Sequence, residues 1–256
     1  MNIKQLATAG VLLMAAGSAM AVNTRPIYNG AMDPTLDSLQ GIFTGIGSTI
    51  DVRNEQLSSA YFKNQTTGAN TTYVASLSWD ALNFPFEFGI YEYNNINNKV
   101  KVFEDSTQGA GVSNPGDFTT INFDEVGGFV YTEFHNAGDP SLNYQVGFTN
   151  DYMETFGFYF SWNNGANIWY GDDSLNNGTA AMLAYEGKGD DVNIAGQTGN
   201  DANHLYVAME GYGGNLDFND IVVQLESIVP APAPTTLALM GLGLLGMARM
   251  AARRKA

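Results

Sequence analysis

The densest chemistry in the chain lies in residues 210–223, EGYGGNLDFNDIVV. Asp217, Asn219 and Asp220 crowd oxygen-bearing side chains into a few positions, and Glu210 offers a further carboxylate upstream. Gly211, Gly213 and Gly214 let the intervening loop bend sharply. A hard cation such as Ca²⁺ takes roughly six to eight oxygens from carboxylates, amides and carbonyls. Glu210, Asp217, Asn219 and Asp220 are therefore the candidate metal ligands, with Ca²⁺ as the candidate cofactor. The spacing is not that of an EF-hand. A second reading stays open, in which these side chains cap backbone amides of a tight turn. Asp172, Asp173, Asp190, Asp191 and Asp201 form another acidic group. It reads as a solvated acidic surface, or as carboxylates that divalent cations bridge to one another or to acidic polysaccharide.

Other chemistries find little support. The chain has no cysteine, which removes thiolate nucleophiles and cysteine-held zinc or iron–sulfur sites. Its only histidines, His135 and His204, lie in neither a Gly-x-Ser-x-Gly nor a His-Glu-x-x-His context. Carboxylate pairs suited to glycoside hydrolysis exist among 26 acidic residues, but at that number their presence is not diagnostic. No catalytic residue is expected, and the chain reads as a non-enzyme. Trp169 and Tyr170 flank an Asn/Gly/Asp-rich stretch and are the candidate glycan contacts.

These residues need elements to hold them. Leu36, Leu39, Ile42 and Phe43 fall on one helical face, with Asp33 placed to cap and Pro34 suited to the first turn. Downstream the period changes to two. Phe84, Phe86, Phe88 and Ile90 alternate, as do Phe156, Phe158 and Phe160, then Leu205, Val207 and Met209, then Ile221, Val223 and Leu225. Weaker strand patterns cover 72–79, 99–103, 118–123, 129–134, 144–148, 168–170 and 180–186. Turn-forming clusters separate them: Asn94 to Asn98, Asn114-Pro115-Gly116, Gly138-Asp139-Pro140 and Asn163-Asn164-Gly165. The alternating Phe side chains read as buried faces of sheets. The pattern predicts an all-β fold: a single antiparallel β-sandwich, jelly-roll-like, with one short N-terminal helix.

Charge divides the chain into three parts. Residues 1–21 carry Lys4 alone, and residues 229–256 carry Arg249, Arg253, Arg254 and Lys255 without an acid. All 26 acids thus fall in 22–228, beside six bases, so a body of −20 underlies the net −15. Such a body excludes nucleic acid as a partner. Residues 1–21 read as a signal peptide, with Lys4 first and an apolar stretch from Leu6 to Ala16 too short to span a bilayer. Ala19 and Ala21 supply the small residues before a cut ahead of Val22. A short membrane anchor is the alternative. The partners expected from this end are the export machinery and signal peptidase.

At the other end, residues 229–234 (VPAPAP) read as an extended spacer unable to continue a strand. An apolar run follows from Thr235 to Ala248, about 21 Å long as a helix; carried to Ala252 it covers about 27 Å, a marginal transmembrane helix over 235–252. Arg253, Arg254 and Lys255 would stay cytoplasmic. The order of Pro-x-Pro, short Gly/Leu-rich helix and terminal Arg cluster resembles the PEP-CTERM sorting signal of Gram-negative bacteria. Val229, Pro230, Pro232, Gly241, Gly243, Arg253 and Arg254 carry the resemblance. Ala231 stands where the usual motif has Glu, and Arg249 interrupts the apolar run. The resemblance implies transient anchoring in the inner membrane and cutting near Pro-x-Pro by an exosortase-type enzyme. Release to the cell surface or extracellular polymer matrix, the exopolysaccharide of a biofilm, would follow. An anchor that is never cut is the alternative.

Residues 30–226 also resemble a domain of unknown function that accompanies such signals. Its mark is a Glu-Asp…Gly-Gly-Asp-x-Asp-Phe-Asn-Asp segment, matched by Glu210, Gly213, Gly214, Asp217, Phe218, Asn219 and Asp220. Gly211 replaces the acid after the Glu, and Asn215 replaces an Asp. That resemblance implies a β-rich extracellular domain with calcium binding. The expectation is a signal peptide (1–21), an acidic sandwich (22–228) and a sorting tail (229–256). The whole reads as an exported, non-catalytic surface or matrix protein, with a Ca²⁺-dependent carbohydrate-binding module as the alternative.

Overall fold

The computed structural model describes residues 36–65, 70–79, 85–104, 117–194, 197–211 and 216–231. Helix α1 (Leu36–Ile46) comes first. It is followed by β1 (Phe62–Asn64), β2 (Asn70–Trp79), β3 (Phe86–Glu92), β4 (Asn95–Glu104), β5 (Phe118–Asp124), β6 (Phe129–His135) and β7 (Tyr144–Thr149). Then come β8 (Phe156–Trp162), β9 (Asn167–Tyr170), β10 (Met182–Glu186), β11 (Asp191–Ile194) and β12 (Gln197–Asn200). The last are β13 (His204–Met209), β14 (Ile221–Glu226) and β15 (Ile228–Pro230). Every described pairing is antiparallel.

Two sheets result. The first runs β15-β1-β8-β3-β4, with β9 also paired to β8; the second runs β10-β13-β14-β2-β5-β6-β7. Their facing sides build the main core. Phe86, Phe88 and Ile90 of β3 and Phe156, Phe158 and Phe160 of β8 meet Ile121, Phe123, Val207, Met209, Ile221 and Val223 of the second sheet. Phe88 and Phe158 stack at 5.7 Å within one sheet, and Phe123 and Phe156 stack at 5.3 Å across the two. Period-two alternation thus delivers the expected Phe residues to the interior; Phe84 lies outside the described residues.

Each sheet also has an outer cover. Leu36, Leu39 and Phe43 of α1 are wholly buried against Leu183, Tyr185, Tyr206, Ala208 and Val222. Phe43 meets the rings of Tyr185 and Tyr206 edge-on at 5.2 Å each. The β11–β12 hairpin lays Val192 and Ile194 over Ala75 of β2. On the first sheet, Tyr61, Tyr91 and Tyr159 gather with Ala60 and Ala231, flanked by Tyr93 and Tyr170. The strand edges β4 and β7 meet where Gly147 lies against the Lys101 backbone, a gap in which any Cβ would come within 2.9 Å of Lys101 N. Thr132 Oγ1 donates to Lys101 O at 2.6 Å beside it.

Four strands lay outside the predicted set: β1, β11, β12 and β15. The Asn94–Asn98 cluster is a correction, because only Tyr93 and Asn94 separate Glu92 from its partner Asn95, and Asn95–Asn98 already belong to β4. Asn98 is buried there, its amide donating to Glu92 and Asp151 O and its oxygen accepting from Thr149. A satisfied Asn therefore overrides its turn preference. The spacer expected from Val229 onward is the second correction, since β15 pairs with β1 through Pro230. Ala231 N donates to Tyr61 O at 2.9 Å, which places Pro230 at a non-hydrogen-bonded pair where no N–H is needed. Asn163, Asn164 and Gly165 form the expected turn with left-handed φ of 56°, 55° and 77°. Asp33, Pro34, residues 1–21 and the helix expected over 235–252 lie outside the described residues. No helix among the described residues is long and apolar enough to cross a membrane.

Candidate functional site

The 210–220 connection joins β13 to β14, whose ladder closes at Met209 and Ile221. It returns on itself through its own carboxylates. Asp220 Oδ2 accepts from Gly211 N at 2.5 Å, and Glu210 Oε2 accepts from Phe218 N at 3.2 Å. Leu216 and Phe218 adopt left-handed φ of 54° and 53°, conformations that non-glycine residues hold only when their surroundings fix them. Phe218 is fixed by full burial among the side chains under α1. Gly211 is required for space: a Cβ there would collide with the Phe160 ring. An acid at this position would not fit.

Glu210 is 3% exposed and Asp220 5%. Glu210 Oε1 and Asp217 Oδ1 are buried and receive no hydrogen bond from an N–H or hydroxyl, and the two carboxyl groups lie close enough to share a proton. Burial first, then the negative charges of Asp220 and Asp217, pushes the Glu210 carboxyl up to about 8, against the opposing bond from Phe218 N–H. Burial and the two neighbouring carboxylates thus favour a proton on Glu210, a place that a cation could take. Of the expected metal ligands, Glu210, Asp217 and Asp220 come together, whereas the Asn219 amide donates to Ser38 Oγ on α1 at 3.0 Å. Among the described residues no group of three or more acidic or histidine side chains stands in metal-holding geometry. The buried carboxylates suit a cation in charge, but their positions do not form a cage.

The other acidic group divides. Asp201 is wholly buried, with Oδ1 accepting from Gly189 N and Asp190 N and Oδ2 from Tyr206 at 2.9 Å. Asp190 accepts from the Thr49 amide and hydroxyl, which holds its carboxyl below the usual range. Asp172 lies by the tyrosine cluster of the other sheet, accepting from Tyr61 OH at 2.5 Å and from Ser174 N. Several of these carboxylates are thus built into local structure, against the expectation of one shared surface.

The histidines serve the sheet surface. His135 stacks on Phe118 at 4.6 Å and faces Thr120 Oγ1; His204 faces Gln224 Nε2 through Nδ1 and lies 3.4 Å from Glu226. Trp169 and Tyr170 are both half-buried. Tyr170 packs edge-on against Tyr91 at 5.1 Å, and Trp169 pairs in register with Phe160. Turn-flanking aromatics here cover the sheet.

A different aromatic row emerges on the outer side of the second sheet. Tyr73 stacks on Phe118 at 4.5 Å, and Phe118 continues onto His135. Phe129 then contacts Tyr131 and Phe148, the last 47% exposed. Thr71 and Asn122 place polar groups in the same row and bond to each other at 2.6 Å. The signal was present as alternation, since Ile121 and Val130 point inward and their neighbours must point out.

Residues 230–255 match the PEP-CTERM protein-sorting motif. No curated protein and no solved structure matches the chain. The motif supports an exported protein that the export machinery and an exosortase handle, with a membrane-anchored transit step in Gram-negative bacteria.

Proposed function

We propose that the chain is a non-catalytic surface or matrix protein, delivered by its C-terminal signal and acting through its acidic sandwich. The sorting motif at 230–255 is the observation that carries this reading. A body of −20 beyond the inner membrane meets cations and polymers rather than cytoplasmic partners. Fractionation of cells producing the full chain, or a chain ending at Ala231, tests it.

Ca²⁺ is proposed as the stabilising ion at Glu210, Asp217 and Asp220, where it would take the place of the proton that burial and the neighbouring carboxylates hold on Glu210. The support is the pair of buried carboxylate oxygens that no N–H or hydroxyl reaches, on carboxyl groups close enough to share a proton or an ion. Because the ion must displace the proton on Glu210, millimolar Ca²⁺ should raise Tm by a few degrees at pH 8 and by less at pH 6. Thermal unfolding with Ca²⁺ and with chelator measures this; no shift at either pH contradicts it.

The second reading, a carbohydrate-binding module, is favoured by the outer-face row of Tyr73, Phe118, Tyr131 and Phe148, of which Phe148 is exposed and the others half-buried, with polar groups interleaved. Flat rings take the C–H face of a sugar while neighbouring amides and hydroxyls bond its edges.

A further inference from the structure

The sorting motif begins inside the folded body. Strand β15 pairs Ile228 with Asn64, Val229 with Lys63 and Pro230 with Phe62. The ladder is closed at one end by Gln65 N donating to Ser227 O at 2.8 Å and at the other by Ala231 N donating to Tyr61 O at 2.9 Å. Ile228 is 3% exposed in the main core. Ala231 is equally buried, among Tyr61, Tyr91 and Tyr159. The first two residues of the matched segment, Pro230 and Ala231, are therefore sheet and core residues.

This placement accounts for the departure at position 231. A glutamate there would carry a charge into the tyrosine cluster, whereas alanine closes it. It also limits where a protease can act. Only Pro232, Ala233 and Pro234 separate Ala231 from the apolar run starting at Thr235, a reach of at most about 14 Å between the two Cα atoms. A peptide bond held in a ladder and buried behind side chains cannot enter a protease cleft unless the strand is first pulled away.

We propose that the folded body sets the upstream limit of processing: the bonds through Pro230–Ala231 are withheld, and the cut falls between Ala231 and Thr235. β15 then remains a permanent strand of the mature sheet. In the hydrolytic form of the step, water adds across one peptide bond, its OH to the carbonyl carbon and its remaining proton to the departing amine of the tail. This rests on the reading of the C-terminus as a sorting signal.

The test uses the full chain in a host that exports and processes such proteins, with intact-mass measurement of the recovered body. The body should end between Ala231 and Pro234. In purified full-length protein, the Ala231 amide should exchange its hydrogen at least about 100-fold more slowly than an unstructured amide. Ala231→Arg, which forces a large charged side chain into the tyrosine cluster, should release β15 and add ends upstream of Ala231. A wild-type body ending at or before Pro230 with a protected Ala231 amide overturns this proposal alone. An uncut chain overturns the sorting reading together with it, and a freely exchanging Ala231 amide removes the structural basis whatever the mass.

Discussion

Glu210 is the residue on which electrostatics weighs most. Its carboxyl is pushed from an ordinary value near 4.5 up to about 8, so between those values the folded state holds a proton that the unfolded chain has lost. The stability that goes with this proton is fully present below about pH 4.5. It drains away as pH rises toward 8, by at most a few kcal/mol. Glu210→Gln keeps the shape and removes the ionisation. The variant should therefore unfold a few degrees above wild type at pH 8 in chelator, and the gain should vanish near pH 4.5; thermal melts across that range check it. A gain independent of pH would show that Glu210 ionisation is not the cause. The sequence displayed this cluster plainly, as four oxygen-bearing residues around a glycine loop. It did not display the turning of Asn219 toward Ser38, because the partner lies on a helix far away in the chain. Nor did it show why Gly211 is glycine, which depends on the Phe160 ring packing across the fold.

Most elements were legible wherever side chains alternated strictly. Phe86, Phe88 and Ile90, then Phe156, Phe158 and Phe160, occupy the interior because a strand turns every second side chain the same way. The short strands β1 and β15 have too few residues for a period, and they exist through each other. Pro230 argued against a strand in sequence, yet on an edge its missing N–H costs no ladder bond. Beside the expected Trp169 and Tyr170, the fold offers a second candidate glycan face that the sequence reading did not single out. A turn suggests exposure, but Tyr170 is packed on Tyr91, whereas Tyr131 and Phe148 stand on the outer face of a sheet. If that face binds polysaccharide, Phe148→Ala and Tyr131→Ala should each weaken retention on an insoluble glycan by up to about tenfold while Trp169→Ala leaves it unchanged. Pull-down with each variant measures this. Equal retention of all three would remove the carbohydrate reading from this sheet.

At the scale of the molecule, the chain combines a negatively charged sandwich with a short, basic sorting tail whose first residues are woven into the sandwich edge. Charge segregation led the sequence reading to expect a seam between body and tail at 228, but the described sheet runs further. Sheet pairing carries the body through Ala231, beyond the expected boundary at 228. A deletion that respects this seam leaves the sandwich intact and removes only the signal, which a cut at 228 would not. Cells producing the full chain and a chain ending at Ala231 can then be separated into soluble, membrane and surface-plus-matrix fractions. The full chain should pass through the membrane fraction and accumulate at the surface or in the matrix, while the shortened chain should leave the membrane and surface fractions and appear soluble outside the inner membrane. Identical distribution of the two chains would contradict delivery by the C-terminal signal.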